Sequence, residues 1–256
     1  MKTIVINNQK GGVGKTMLAV HLAWFLAEKK TENDRSTRVL VIDLDGQGNA
    51  SKVLSGEHEA GAAADLFDPV KELPAAAVSG ISVMAMDERI HGIEMASVPQ
   101  AIRRFQAFDG YDYCVIDTPP TWGARNFTAL AISDYLISPI EMKDFAMDGV
   151  RALLGAVDAV EKRARGGREL INLGFLPSRF NSHSKDERVM LQNTLDALGA
   201  TLMFPGVLTV RDNYEFALRN KLPVWRLPAS SSVKEATKEM HRVMEKVWTR
   251  IEGSPA

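Results

Sequence analysis

A glycine-rich turn with two lysines, residues 9–16, has the composition of a phosphate-binding loop. Gly14, Lys15 and Thr16 fill the last three places of the pattern G-x-x-x-x-G-K-[ST], while Gln9 stands where its first glycine is expected. Glycines allow successive backbone N–H groups to converge on phosphate oxygens. Lys15 offers a positive charge to the β- and γ-phosphates, and the Thr16 hydroxyl can ligate Mg²⁺. The spacing therefore predicts a site for a nucleoside triphosphate and Mg²⁺.

The segments on both sides of this loop fit that role. Residues 2–7 are typical of a short strand, and residues 17–27 are apolar nearly all round, which indicates a helix buried against a sheet. Residues 39–43 form a β-branched run that ends in Asp43, as expected of a central parallel strand. Together they predict a right-handed βαβ unit that binds ligands at the carboxyl ends of its strands. The alternative is a plain glycine turn with two solvated lysines, which does not require these neighbours.

A second strand pattern also ends in a carboxylate. Residues 113–116 are apolar and lead into Asp117, Thr118, Pro119 and Pro120. A strand that ends in aspartate beside a phosphate loop lets the carboxylate hold Mg²⁺, usually through water. The two prolines then force the chain out of regular structure and stiffen the loop beside the metal.

The remaining patterns alternate between helix and strand, with no internal repeat or low-complexity linker. They predict one domain over residues 1–256, built on a single doubly wound, mostly parallel sheet with helices on both faces. Helices are predicted at 94–108, 123–132, 145–162, 185–198, 212–218 and 232–251, with short helical patterns at 49–54 and 61–67; further strands are predicted at 81–86, 134–139, 170–176 and 206–209.

Bulk composition points to a globular protein of the cytoplasm. A 45% apolar content supports a proper core, and the first fifteen residues do not read as a signal peptide. No apolar run approaches the roughly 18 residues that a membrane span needs. The single cysteine, Cys114, cannot form an internal disulfide, which suits a reducing compartment.

Charge is distributed unevenly although the net charge is only −1. Residues 1–159 carry 15 Lys and Arg against 21 Asp and Glu, whereas residues 160–250 carry 16 against 10. A basic C-terminal third is compatible with a surface that meets nucleic-acid phosphates, and equally with ordinary charged helix faces.

Three stretches together resemble the ParA/MinD superfamily of P-loop ATPases with a deviant Walker-A loop. Residues 10–16 match K-G-G-x-G-K-[ST], residues 41–51 resemble a D-x-D-P-Q-G-N-A element, and residues 111–120 resemble a Y-D-x-x-x-x-D-T-P-P element. With the order of elements between them, these motifs cover the whole chain. The resemblance is strongest to the small ParA-type partition ATPases of plasmids and chromosomes.

The resemblance implies ATP hydrolysis with Lys10, Lys15 and Asp45 as the catalytic residues. Lys10 would reach across an ATP-sandwich dimer to the partner's nucleotide, as an arginine finger does elsewhere. Lys15 and Thr16 would serve the phosphates and Mg²⁺, and Asp45 would orient the attacking water.

It also implies the remaining contacts. Asp117 would be the metal-side carboxylate, and Asp43 would join it and Thr16 at the metal site as a structural or indirect partner. ATP or ADP would be bound by Gly11, Gly12, Val13, Gly14, Lys15, Thr16 and Met17, with the adenine framed by Pro177, Ser178 and Arg179.

Two positions depart from the family pattern. Gly46 stands where the family usually has proline, so the turn after Asp45 is expected to be looser, with an effect on hydrolysis of unknown sign. Thr209-Val210-Arg211 stands where a proline often precedes the arginine, so the adenine is expected to be framed elsewhere, by residues 177–179.

For partners, the resemblance implies an ATP-dependent homodimer, nonspecific double-stranded DNA and a ParB-like centromere-binding protein that stimulates hydrolysis. The protein would be bacterial, cytoplasmic and nucleoid-associated when ATP-bound. The basic C-terminal third offers DNA-contact candidates: Arg211, Arg219, Lys221, Arg226, Lys234, Lys238 and Arg242.

Several other classes fit the sequence less well. A MinD-like membrane-positioning ATPase would need a basic amphipathic tail, whereas the sequence given ends in Glu252-Gly253-Ser254-Pro255-Ala256, and no stable membrane association is expected. One cysteine does not supply the ligands of an iron–sulfur cluster. Nine residues before Lys10 leave no room for a helix-turn-helix domain, so a self-repressing variant is not expected. A ParA-like ATPase that positions a cargo other than DNA stays open, and no motif indicates a metabolic ligase or kinase.

Overall fold

The computed structural model describes residues 1–72, 79–143 and 147–253. Seven strands in these ranges form one sheet, in which every neighbouring pair is parallel. The strands are β1 (Lys2–Ile6), β2 (Arg38–Asp43), β3 (His58–Ala62), β4 (Gly80–Ala85), β5 (Tyr113–Asp117), β6 (Tyr135–Ile140) and β7 (Ile171–Pro177). Their order across the sheet is β3-β4-β2-β5-β1-β6-β7. The predicted fold class is confirmed, and its parallel character extends to every strand pair described.

Helices cover both faces of this sheet. They are α1 (Lys15–Ala27), α2 (Asn49–Val53), α3 (Val98–Phe105), α4 (Ala124–Ile132), α5 (Met147–Ala164), α6 (Lys185–Leu202), α7 (Asp212–Arg219) and α8 (Ser231–Gly253). Shorter 3₁₀ turns occupy Ala63–Phe67, Glu88–Gly92, Met95–Ser97 and Val224–Arg226. Residues 145–146 of the predicted helix 145–162, and residues 254–256 of the predicted tail, lie outside the described ranges.

The core consists of two apolar layers, one on each face. In β1, Ile4 and Ile6 join a cluster with α1, α7 and α8, while Val5 points into a second cluster with α3, α4 and α5. Side chains alternate between the faces of a strand, so a strand covered on both sides must be apolar throughout. This explains why the central strands read as unbroken apolar runs.

Two predicted elements were wrong. Residues 206–209 do not form a strand, because Pro205 and Gly206 interrupt the pairing; only Thr209 makes a bridge, to Phe180, beyond the end of β7. The helical pattern at 61–67 is a 3₁₀ turn that starts only at Ala63, because the residues just before it pair with β4 as the edge strand β3. The predicted helix 94–108 is likewise shorter, since α3 begins at Val98 after a 3₁₀ turn.

Parallel strand pairing sets the position of the predicted site. β1 lies between β5 and β6, and β5 lies between β1 and β2. The carboxyl ends of β1, β2 and β5 therefore meet at one edge, which brings the glycine-rich loop beside Asp43 and Asp117.

Candidate nucleotide-binding site

The glycine-rich loop connects β1 to α1 in a conformation that requires glycine. Gly12 and Gly14 have φ values of +77° and +93°, in the left-handed region that other residues rarely adopt. A β-carbon on Gly14 would also lie 2.9 Å from the Ser178 hydroxyl. Asn8 fixes the start of the loop, since its Oδ1 accepts a hydrogen bond from the Lys10 N–H at 2.8 Å and its Nδ2 donates to the Pro139 carbonyl at 2.8 Å. The loop leads directly into the positive N-terminus of α1, which favours anions.

The two lysines of the loop point in different directions. The Lys15 Nζ donates to the Lys10 carbonyl at 2.9 Å, and the Lys15 residue is buried at the base of the site. The Lys10 Nζ instead lies 3.6 Å from Glu141 Oε2, with 41% of its side chain exposed. Glu141 also pairs with the Arg179 guanidinium at 3.0 Å. In this single chain, Lys10 therefore lies away from the phosphate side of the loop.

Two aspartates face each other across adjacent strands. Asp43 at the end of β2 is in register with Asp117 at the end of β5, and both residues are fully buried. Asp117 Oδ2 accepts a hydrogen bond from the Thr16 hydroxyl at 2.6 Å. Within the described residues, its other oxygen, Oδ1, is buried without a hydrogen-bond partner. A Thr hydroxyl beside an unsatisfied buried carboxylate oxygen is a donor set that suits a hard cation such as Mg²⁺.

Asp43 organises the neighbouring turn. Its Oδ2 accepts from both the Ser51 N–H at 2.8 Å and the Ser51 hydroxyl at 2.6 Å, and its Oδ1 accepts from the Asp45 N–H at 3.1 Å. The Asp43 carboxylate is thus occupied by protein donors. Its expected place at the metal site, as a structural or indirect partner, stays a prediction.

Burial governs the electrostatics of this edge. It raises the pKa of Asp117, and the nearby Asp43 carboxylate adds to the effect. Burial likewise raises the pKa of Asp43, while bonds from Ser51 and Asp45 oppose the shift. Burial lowers the pKa of Lys15, against the opposing influence of Asp117 and Asp45. Burial thus disfavours a negative charge on either aspartate, and a bound cation would offset that cost.

The turn after Asp45 is tightly built. Asp45 Oδ1 accepts from the Gln47 N–H at 3.0 Å, and its carbonyl accepts from the Gly48 N–H at 2.9 Å. A β-carbon on Gly46 would meet the imidazole of His91, so a side chain here requires that half-exposed ring to move. The looser turn that Gly46 leads one to expect is therefore packed against a ring from the 3₁₀ turn Glu88–Gly92.

A cavity of about 800 Å³ opens beside the phosphate loop. Among the predicted nucleotide contacts, its lining includes Gly11, Gly12, Gly14, Lys15, Thr16, Met17, Asp45 and Arg179. Val13 is buried in the loop, and Pro177 ends β7 outside this lining. The far wall is formed by residues 209–212 and by Tyr214, Glu215, Leu218, Arg219 and Lys221. Residues 211, 219 and 221 were expected to contact DNA, but they border this cavity.

The other basic candidates lie elsewhere. Lys234, Lys238 and Arg242 are exposed on α8 at spacings of four residues, which places them on one face of the helix. Lys238 and Arg242 also line a separate groove of about 430 Å³. Arg226 pairs with Glu28 at 2.6 Å. The candidates therefore form two groups, one at the cavity and one on α8, with Arg226 in neither.

Several residues that contact the site were not predicted from the sequence. Ser51 ends the motif stretch 41–51 but was given no role there, and Glu141 lies in no motif; its pairing with Lys10 and Arg179 joins distant segments. Arg125, half-buried at the start of α4, donates to the Leu44 carbonyl at 3.0 Å and interacts electrostatically with Asp45. Glu239 on α8 binds the far wall of the cavity.

Comparison with known proteins places the chain in a family. A family model described as an AAA domain matches residues 1–170. The chain is 32% identical to the protein IncC of Escherichia coli over 269 residues, which covers 99% of this chain and 71% of that protein. This chain belongs to the ParA/MinD superfamily of P-loop ATPases.

One further relative agrees with that membership, and one solved structure agrees with the fold. The chromosome-partitioning ATPase Soj of Thermus thermophilus is another ParA-type relative, 32% identical over 77% of this chain and 75% of its own length. The fold is similar to that of McdA from Cyanothece, solved as an ATP complex, with a TM-score of 0.79 at 24% identity over 97% of this chain and 96% of that one. In the part of the chain that is described, no helix is both long and apolar enough to cross a membrane.

Proposed function

We propose that this protein is a partition-type ATPase whose Mg²⁺-ATP-bound form dimerises on nonspecific DNA and is released by hydrolysis. The observation that carries the proposal is the separation of the two loop lysines. Lys15 lies in the cavity with Thr16 and Asp45, whereas Lys10 lies outside its lining, on Glu141. In the dimer, Lys10 would exchange its pairing with Glu141 for a contact with the second subunit's nucleotide.

The chain's own residues supply the parts that phosphoryl transfer needs. Lys15 and the backbone of the glycine-rich loop bind the phosphates, and Asp45 lines the same cavity with its carboxylate fixed by the Gln47 N–H. Asp45 would orient the water that attacks the γ-phosphate, giving ADP and phosphate. Intrinsic turnover is expected to be weak, because the charge contributed by Lys10 arrives only in the dimer.

Thr16 and Asp117 would hold the Mg²⁺ ion. Asp117 Oδ1 is buried and has no hydrogen-bond partner among the described residues, and burial raises the pKa of that carboxyl; both observations favour a cation there. When bound, the ion would neutralise charge on the phosphate oxygens. Asp43 would contribute indirectly, by holding the turn that carries Asp45.

DNA binding would use the exposed face of α8. Lys234, Lys238 and Arg242 stand in a row without base-reading motifs, which suits contacts to the phosphate backbone and predicts a steep dependence on salt. Two relatives are named as chromosome-partitioning proteins, and the proposal accordingly includes a ParB-like partner that stimulates hydrolysis and a cytoplasmic, nucleoid-associated location.

The dependence of DNA binding on the bound nucleotide tests this proposal, with a nonspecific DNA duplex as the ligand. Binding should be strong with ATP and Mg²⁺ and weak with ADP or without nucleotide; equal binding in all three states would refute it. The Asp45→Ala variant should bind ATP, dimerise and fail to hydrolyse it. Wild-type turnover by Asp45→Ala would show that another group orients the water.

A further inference from the structure

A carboxylate on α8 binds the far wall of the nucleotide cavity. Glu239 Oε1 accepts hydrogen bonds from the Thr209 N–H at 2.7 Å and the Tyr214 hydroxyl at 2.8 Å. Its Oε2 accepts from the Thr209 hydroxyl at 2.9 Å and lies 3.4 Å from the Arg211 guanidinium. The Glu239 side chain thus contacts three residues of the segment 209–214, and all three line the cavity.

The first half of this segment, residues 209–211, lies in an irregular stretch before α7. Residues 204–211 run from α6 to α7 without helix or strand, and Pro205 and Gly206 interrupt them. On one side, the Leu208 N–H donates to the Pro177 carbonyl and the Val210 N–H donates to the Phe180 carbonyl. On the other side Glu239 provides the attachment, with only 15% of its side chain exposed. Hydrogen bonds to a largely buried carboxylate are stronger than those between neutral groups.

Glu239 is itself held firmly. The next residue along α8, Met240, is fully buried, as are Val243 and Met244 one turn later. These side chains pack into the apolar layer that also contains α1. The carboxylate therefore projects from a fixed helix, and its hydrogen bonds fix the side of the segment that faces α8.

The segment borders the part of the cavity that the phosphates do not need. Phosphates are bound by the glycine-rich loop and the N-terminus of α1, residues 11–16. Residues 209–214 line the same cavity but belong to a different stretch of chain, so they are available to the ribose and base. The proline that the family often has before the arginine is absent here, and Thr209 and Val210 stand at this point instead.

We infer that Glu239 is a positioning residue for nucleoside recognition: it holds the Thr209–Tyr214 segment in place as the wall that contacts the nucleoside half of ATP. Glu239 acts through its hydrogen bonds from outside the cavity and takes no part in the chemistry. The inference rests on the proposed nucleotide binding and specifies which part of the ligand depends on α8.

The test compares two ligands that share phosphates but differ in the nucleoside. Calorimetric titration of the full chain with Mg²⁺-ATP and with Mg²⁺-tripolyphosphate should separate the two halves of the site. Glu239→Ala should weaken ATP binding by about tenfold, the order expected when buried hydrogen bonds to a charged group are lost, and change tripolyphosphate binding less than about twofold. Glu239→Gln keeps an accepting oxygen and should fall between wild type and Glu239→Ala.

The matched control is Glu235→Ala, since Glu235 is an exposed glutamate one turn earlier on α8. It should bind both ligands like the wild type. If Glu239→Ala does not fold, Thr209→Val and Tyr214→Phe each remove one donor to Glu239 and should weaken ATP selectively. Equal weakening of both ligands, or unchanged ATP affinity in a folded variant, would overturn the inference. Failure of the wild-type protein to bind either ligand would instead refute the proposed nucleotide site.

Discussion

His91 lies over Gly46, with its imidazole in the space that a side chain at position 46 would fill. The ring is carried by a firmly anchored 3₁₀ turn, in which Ile90 is fully buried and Arg89 pairs with Asp65 and Asp87 at 2.7 and 2.6 Å. The turn that carries Asp45 is therefore packed from outside by a residue about 45 positions away in the sequence. Glycine at position 46 thus leaves the space that the His91 ring occupies.

The first prediction tests this pair by a double-mutant cycle. Gly46→Ala should destabilise the protein by about 1 kcal/mol, the low end for overpacking, because half-exposed His91 can move away at the cost of its contact. In a His91→Ala background the same substitution should be nearly neutral. Urea unfolding of the four proteins gives the coupling energy. Additive effects would mean that the ring and the turn do not interact in solution.

The second prediction separates the two lysines of the glycine-rich loop. Lys15→Gln should abolish ATP binding, since Lys15 lines the cavity. Lys10→Gln should keep ATP affinity within about threefold but reduce hydrolysis by tenfold or more, because the charge needed in the transition state would be missing from the dimer. Equilibrium binding and steady-state turnover distinguish the two effects. Equal loss of ATP affinity in both variants would place Lys10 in its own subunit's site.

A third prediction concerns acid stability. Burial lowers the pKa of His21 to about 4, from an ordinary value of 6.5. As the pH falls, His21 is protonated in the unfolded chain before it is protonated in the folded protein. The stability that comes from keeping His21 neutral is therefore fully present above pH 6.5 and is lost as the pH falls toward 4. His21 alone should make unfolding roughly 3 kcal/mol easier at pH 4 than at pH 7.

Denaturant unfolding across this pH range measures the effect. His21→Gln should flatten the dependence, whereas His183→Gln, at an exposed position, should leave it as in the wild type. If His21→Gln loses stability with acid as steeply as the wild type, other groups account for the dependence.

The fourth prediction follows from the two groups of basic residues. Arg219→Ala should weaken ATP binding, because Arg219 borders the cavity. Lys238→Ala with Arg242→Ala should leave ATP affinity within about twofold, weaken binding to all DNA sequences alike and lower the slope of affinity against salt by about two. Titrations at several salt concentrations measure this slope. An unchanged slope would remove α8 from the DNA interface.

Local sequence was sufficient for the framework of the site. The glycine-rich loop needs left-handed backbone at Gly12 and Gly14, and strands that end in Asp43 and Asp117 need only the rule that parallel strands share a carboxyl edge. Strand limits were predicted to within about one residue wherever an apolar run was unbroken, as in β2 and β5. Residues 206–209 were misread because a short apolar stretch indicates burial without indicating which partner it pairs with.

The sequence by itself therefore determined the fold class, the phosphate loop and the carboxylates beside it, since each depends on backbone conformation and on the period of apolar residues. Only the tertiary structure decided that Lys10 lies on Glu141, that His91 fills the space at Gly46, and that Glu239 holds the far wall of the cavity. Lys10 and Glu141 are 131 positions apart, Gly46 and His91 are 45 apart, and Glu239 is 25 to 30 positions from the residues that it holds. Which residues contact each other here depends on how the helices and loops pack in three dimensions, and the spacing of residues in the sequence does not determine that.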